Sequence, residues 1–158
     1  MSTVAVKGAV RRSVIGRIAD YAEQAEPGGA LHGVEVAAAM PPEPTRRLVY
    51  GGVLRWVRRD VLAERNAAHE LVMTFDVRVR VVELGDDIAE AELIADRIED
   101  AITDAVHANP PLAGAFGRVV VTSGDADPVV VGLDRDGFTL VTVNRGITVT
   151  VTIVAAGV

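Results

Sequence analysis

The sequence predicts an α+β domain: a mostly antiparallel mixed sheet with two helices packed on one face. Three observations predict it. Leu71, Met73, Phe75, Val77, Val79 and Val81 take every second position, the period of a strand with one buried face. Two other segments space their apolar residues by three and four, the period of a helix. The last third is rich in Val, Ile and Thr, broken by short Gly- and Asp-bearing turns. The order reads helix, three strands, helix, then three or four strands, an arrangement that gathers the helices on one side of a sheet. A chain of 158 residues suffices for one such core and is short for two, so residues 1–158 are expected to form a single domain.

Each element has its own signal. From Val10 to Ala25, Val10, Val14, Ile18 and either Tyr21 or Ala22 form a stripe, and the EPGG run from Glu26 to Gly29 ends it. GVEVAAAM is a short strand, and Pro41, Pro42 and Pro44 then exclude regular pairing. Leu48 to Arg59 is a second strand, in which Gly51-Gly52 marks a bulge or a close backbone approach. The alternating strand follows from about Glu70 to Glu83, longer than an ordinary strand. Asp87, with Glu90 three residues on, caps a helix that runs to about Ala108. Its expected buried stripe is Ile88, Ala91, Ile94, Ala95, Ile98, Ile102, Ala105 and Val106, and Asn109-Pro110-Pro111 stops it. VVVTS and PVVVGL are expected as strands separated by GDAD. The DRDG run from Asp134 to Gly137 is a hairpin turn with Gly137 left-handed. In the last strand Val141, Val143, Ile147, Val149, Val151 and Ile153 alternate with threonines, and Arg145-Gly146 interrupts them as an expected bulge.

Composition narrows the function classes. Aromatics are only 4%, so Val, Ile, Leu and Ala must fill the core. A net charge of −6 argues against nucleic acid as the main partner. Every basic residue except Lys7 is arginine, which suits fixed ion pairs but is more simply the bias of a GC-rich coding sequence. Cysteine is absent, so disulfide and thiolate chemistry are excluded. The first residues lack the apolar core of a signal peptide, and no run reaches the roughly 18 apolar residues of a membrane span, so a soluble protein is expected.

Catalytic and metal-binding patterns find little support. His32, His69 and His107 fall in separate segments without the HExxH spacing of a zinc site. Serine occurs only at 2, 13 and 123, none of them in GxSxG, and Ser123 in TSGD reads as a turn former. Asp125, Asp127, Asp134 and Asp136 form two acidic loops, but Val129 and Phe138 stand where a further oxygen ligand would be required. Neither a P-loop nor GxGxxG is present. No enzyme activity, metal or cofactor is expected.

Three features stand out from an ordinary monomer surface. The helix face opposite the core stripe carries Glu92, Asp96, Glu99, Asp100 and Asp104. Arginines bracket the middle strands: Arg46, Arg47, Arg55, Arg58, Arg59, Arg65, Arg78 and Arg80. Trp56 sits among arginines, an interface composition, but at strand spacing with Leu54 it reads equally as a core residue; Leu93 points away from its helix stripe, toward an interface or under a loop. An acidic helix and a basic sheet edge on one molecule complement each other between neighbours, and such head-to-tail contacts close into rings when the rotation fits. The expected interface is therefore Arg46, Arg47, Trp56, Arg58, Arg59, Arg65, Arg78 and Arg80 against Glu92, Leu93, Asp96, Asp100 and Asp104. The polar face with Arg78 and Arg80 is expected to meet a neighbour's acidic helix or to line a central channel.

The element order and its punctuating residues carry a resemblance. An opening helix and a GVEV strand lead into a proline-rich loop. VYGGV and an arginine-rich segment follow, then TFDVRVRVV, a GDD-capped helix AELIADRIEDAI, NPPLAG and the closing strand GITVTVTIV. From about Leu31 to Val154 the chain resembles the tail terminator (tail completion) proteins of long-tailed bacteriophages, particularly those of actinobacterial hosts. The resemblance implies an α+β subunit that forms a hexameric ring on the head-proximal end of the tail tube. That ring ends tube polymerisation and presents the head–tail joining surface. It further implies as partners other copies of the chain, the tail tube protein and a neck or head–tail connector protein, with DNA passing through the ring without sequence recognition. The family has no catalytic residues to transfer. The implied location is the virion, after synthesis in the host bacterial cytoplasm. The alternatives are another neck or connector component, a minor tail or tail-tube subunit, or a small ligand-binding or enzymatic α+β domain with a deep polar pocket. A DNA-binding module would show steep salt dependence.

Overall fold

The alternating segment forms the centre of the molecule. The computed structural model describes residues 3–61, 68–108 and 118–156. In order the elements are α1 (Thr3–Glu23), β1 (Glu35–Ala37), β2 (Arg47–Val61), β3 (Ala68–Leu84), α2 (Ile88–His107), β4 (Arg118–Ala126), β5 (Val130–Leu133) and β6 (Thr139–Ala156). The six strands form one sheet in the order β1-β2-β3-β6-β4, with β5 also paired to β6. Among the described residues only β1–β2 is parallel and the other pairs are antiparallel. The fold is α+β. Arg65 and the Asn109-Pro110-Pro111 stop lie outside the described residues.

One sheet face makes the core. Met73, Phe75, Val77, Val79 and Val81 are buried along β3, beside Val49 of β2 and Val143, Val149 and Val151 of β6. Val10, Val14 and Ile18 of α1 and Ala91, Ala95, Ile98 and Ile102 of α2 complete the same cluster. Each large aliphatic or aromatic side chain fully buried in this way contributes about 1.5–3 kcal/mol. The two helices lie side by side on this face. Arg17 ties them together, its guanidinium donating to the carbonyls of Ala105 and Ala108 at 3.4 and 3.2 Å.

Several boundaries differ from expectation. Helix α1 begins at Thr3 rather than Val10; in the sequence Val6 already extends the four-residue spacing of Val10, Val14 and Ile18. Tyr21 is exposed and Ala22 packs against the core. Ile88 is exposed, since the first turn of α2 projects beyond the sheet-covered stripe, and Ile94 is only partly buried. The Asp87 cap forms as expected, its carboxylate accepting from the Glu90 N–H at 3.0 Å. The GDAD segment is not a turn between strands: Gly124, Asp125 and Ala126 continue β4, and Ser123 pairs with Thr148.

The glycine pair in β2 does form a bulge, with the register shifting between Gly51 and Leu54. A Cβ on Gly51 would stand 2.5 Å from the Ala38 carbonyl oxygen and 3.0 Å from the Phe75 ring. No larger residue fits where α1, the loop after β1 and the sheet converge. The bulge expected at Arg145-Gly146 is absent. The β3–β6 register runs unbroken from Ala68↔Ala156 to Leu84↔Leu140. Arg145 interrupts the hydrophobicity of β6 without breaking its phase. The second bulge lies in β4 instead, between Val121 and Ser123.

Candidate subunit interface

The sequence-selected charges divide between the two faces of the sheet. Tyr50, Arg55 and Arg59 of β2 share the open face with Thr74, Arg78 and Arg80 of β3, because directly paired residues point the same way. Arg47, Trp56 and Arg58 fall on the helix face. The basic group is therefore a band around the β2 side of the molecule.

On the open face, Arg78 is held within the chain. Its guanidinium donates to Asp125 at 2.7 Å and to Asp127 at 3.2 Å. Register explains how it reaches them. Arg78 pairs with Gly146 of β6, and Gly146 pairs with Asp125 of β4. The missing side chain at Gly146 leaves a gap through which the guanidinium crosses one strand to meet the next. A Cβ there would collide with Arg78 Nη1 and lie 3.0 Å from Asp125 Oδ1. Arg78 is held above its ordinary pKa: burial opposes the charge, while the hydrogen bond and negative charges of Asp125 and Asp127 outweigh it. Elsewhere on this face Thr122 and Thr150 stand 2.9 Å apart and Thr148 donates to Asp76 at 3.4 Å, while Leu48, paired with Arg80, and Val82 are buried. This network accounts for much of the polar face of the alternating strand.

On the helix face, Arg145 was not singled out by its sequence context, yet it organises the acidic helix. It stands in the Val79 row of the core face, reaches α2, and pairs with Asp96, with Glu99 at 3.6 Å and with Glu92 at 3.9 Å. Glu92, Asp96 and Glu99 thus lie on the flank of α2 that meets β6, not opposite the core stripe. Asp100 and Asp104 are exposed. The Glu99 carboxyl is pushed up by burial; Arg145 opposes the shift, and Asp96 and Asp100 add to it. The flank keeps an excess of negative charge despite its arginine.

The remaining expected residues occupy the β2 side. Arg47 pairs with Glu83 at 2.9 Å, and Arg46 is exposed at the start of β2. Trp56 is 48% exposed, with the Lys7 ammonium of α1 3.9 Å from its ring centroid, a cation–π contact. Val53 and Val57 beside it are exposed as well. Leu93 is exposed on α2. Beyond Tyr50, β1 no longer covers β2, so among the described residues the outer edge of β2 from Val53 to Arg59 has no strand partner.

The opposite edge of the sheet is formed by β4. Its bulge is bound by α2, where His107 Nε2 accepts from the Val121 N–H at 3.0 Å. Between α2 and β4 runs a groove of about 420 Å³, floored by Val121 and Ile147 and lined by Glu99, Asp100 and Arg145. A second open cavity of about 430 Å³ lies at the far end of the strands, lined by Leu84, Asp86 and Phe138. The sequence reading missed the apolar surface around it, where Leu133 is 73% and Phe138 63% exposed. Both cavities are broad surface depressions. Among the described residues no cluster of three or more His, Cys, Asp or Glu is placed to hold a metal ion. Asp134 instead accepts from the N–H groups of Asp136 and Phe138 and closes the β5–β6 turn. Among the described residues no helix is long and apolar enough to cross a membrane. No protein-family model matches the chain, and no curated protein matches it.

Proposed function

We propose that this chain is a structural, non-enzymatic subunit of a long-tailed bacteriophage. In this reading it forms a ring, hexameric by the resemblance, on the head-proximal end of the tail tube. There it ends tube growth and offers the surface to which the neck binds. The open edge of β2 from Val53 to Arg59, bearing exposed Trp56, supports an assembly role best. A long, partly apolar strand edge is a liability for a solitary protein and an asset for one that assembles. The broad shape of the cavities weakens the ligand-binding alternative, which calls for an enclosed pocket with convergent polar groups. Its partners in this role are other copies of itself, the tail tube protein and a neck connector, and DNA passes through the ring without base recognition.

Light scattering over a concentration series, negative-stain imaging and a tube-growth assay with the cognate tail tube protein test this reading. Six-fold rings with a central hole, and tubes that stop growing when the protein is added, are the expected results. Long tubes formed by this protein alone would favour a tail-tube subunit. A strict monomer that leaves tube growth unchanged would overturn the proposal.

A further inference from the structure

The two edges of the sheet differ in charge and stand at nearly the same height. Trp56 pairs with Met73 of β3, which sets its level. On the other side, Val121 pairs with Val149 of β6, and Val149 pairs with Phe75 of β3. The tryptophan and the α2–β4 groove are thus only two rows apart, roughly 7 Å along the strands. They also share a side of the sheet: Trp56 lies on the helix face, next to α1, and the groove lies under α2. On the helix face the β2 edge presents apolar Trp56 beneath the Lys7 ammonium, while Arg55 and Arg59 lie on the open face of the same edge. The groove presents an apolar floor of Val121 and Ile147, and beside it Glu99 and Asp100 outnumber the one arginine of its lining, Arg145.

We infer that copies of this chain join head to tail, the Trp56 edge of β2 in one copy seating in the α2–β4 groove of the next. This rests on the ring-forming reading above and gives it a contact and a direction. A second copy is the occupant that the charge pattern fits, because the Trp56 edge offers a cation over an apolar ring and the groove flank keeps more carboxylates than its one arginine neutralises. A desolvated tryptophan ringed by charge pairs is the composition of an interface anchor. Each copy contributes two different edges, so the contact is heterologous and the level match lets a rotation close it. The raised carboxyl of Glu99 fits the same picture, since a neighbour's cation would relieve the negative excess of that flank.

The test uses two variants of the full chain. Trp56→Glu spoils the β2 edge and leaves the groove intact. Asp100→Arg spoils the groove side and leaves Trp56 intact. The wild-type protein is expected to gain mass with concentration, and each variant to stay at the 16.6 kDa of one chain with unchanged circular dichroism. Mixed one to one, the variants should form a dimer and nothing larger, because only one good edge of each kind remains. A second measurement is independent of their folding. The natural chain has no cysteine, so Trp56→Cys with Asp100→Cys should give a ladder of disulfide-linked oligomers on oxidation. Three results would overturn the inference: a wild-type protein that stays monomeric at millimolar concentration, a mixture of folded variants that stays monomeric, or an oxidised double-cysteine protein without a ladder. The tube-growth assay separates this from the functional reading. A confirmed contact without capping would sink the terminator role alone, whereas capping by rings of Trp56→Glu would sink the contact alone.

Discussion

Replacing Gly146 with alanine tests how the open face is held together. The glycine lies in a paired strand with ordinary backbone angles, so alanine brings no conformational strain. On backbone grounds alone the change should stabilise the strand by about 0.5–1 kcal/mol. The new methyl group, however, falls on Arg78 Nη1 and drives the guanidinium off Asp125 and Asp127. The arginine side chain is 20% exposed and Asp125 65% exposed, so the pair is only partly screened and its loss costs about 1–2 kcal/mol. The net effect of Gly146→Ala is a loss of about 0–1.5 kcal/mol. In an Arg78→Ala background only the Asp125 carboxylate remains close, at 3.0 Å and free to swing away, and the same substitution should stabilise by up to about 0.5–1 kcal/mol. Urea unfolding of the four proteins in this cycle measures the coupling directly. Equal effects of Gly146→Ala in the two backgrounds would refute the idea that this glycine exists to let Arg78 through.

Three further outcomes follow from features of the same molecule. Gly51→Ala places a methyl group 2.5 Å from a backbone oxygen that cannot swing aside, and should cost about 1–3 kcal/mol in the same unfolding assay. Asp87→Ala removes the acceptor of the Glu90 N–H and should cost about 1 kcal/mol, read by thermal unfolding. Because the folded-state pKa of Glu99 lies above its ordinary value, the folded protein binds that proton more tightly than the unfolded chain. Stability from this group is therefore full below the ordinary carboxylate value and falls as pH rises through the raised one. Glu99→Gln should gain stability relative to wild type across that window. A difference curve between the two proteins that stays flat with pH would contradict the assigned cause.

Period and punctuation made the core legible in the sequence. The alternation from Leu71 to Val81, the 3.6-residue stripe of α2, the Asp87 cap, the Gly51 bulge and the Gly137 turn each state a local physical requirement, and each has its place in the fold. What stayed hidden depends on register between distant segments. Arg145 reads as an interruption until β6 is aligned with β3, and only then does it stand under α2, 49 residues from Asp96 in the chain. Gly146 likewise reads as a bulge because its reason is an arginine on the neighbouring strand. Ser123 and Asp125 carry turn chemistry, but pairing with β6 overrides that local preference. For the interface residues, the sequence located the charges and not their faces. Arg78 serves its own chain, while Trp56 stands on an open edge.

The unbroken β3–β6 ladder bears on mechanics. A force directed along the strands loads all its hydrogen bonds in shear at once, and they must fail together. The three-residue β1 and four-residue β5 hold by far fewer bonds and would peel first. Strain applied through the ends of the strands would therefore be carried by the middle of the sheet and released at its short margins, leaving the β3–β6 pair as the last element to yield.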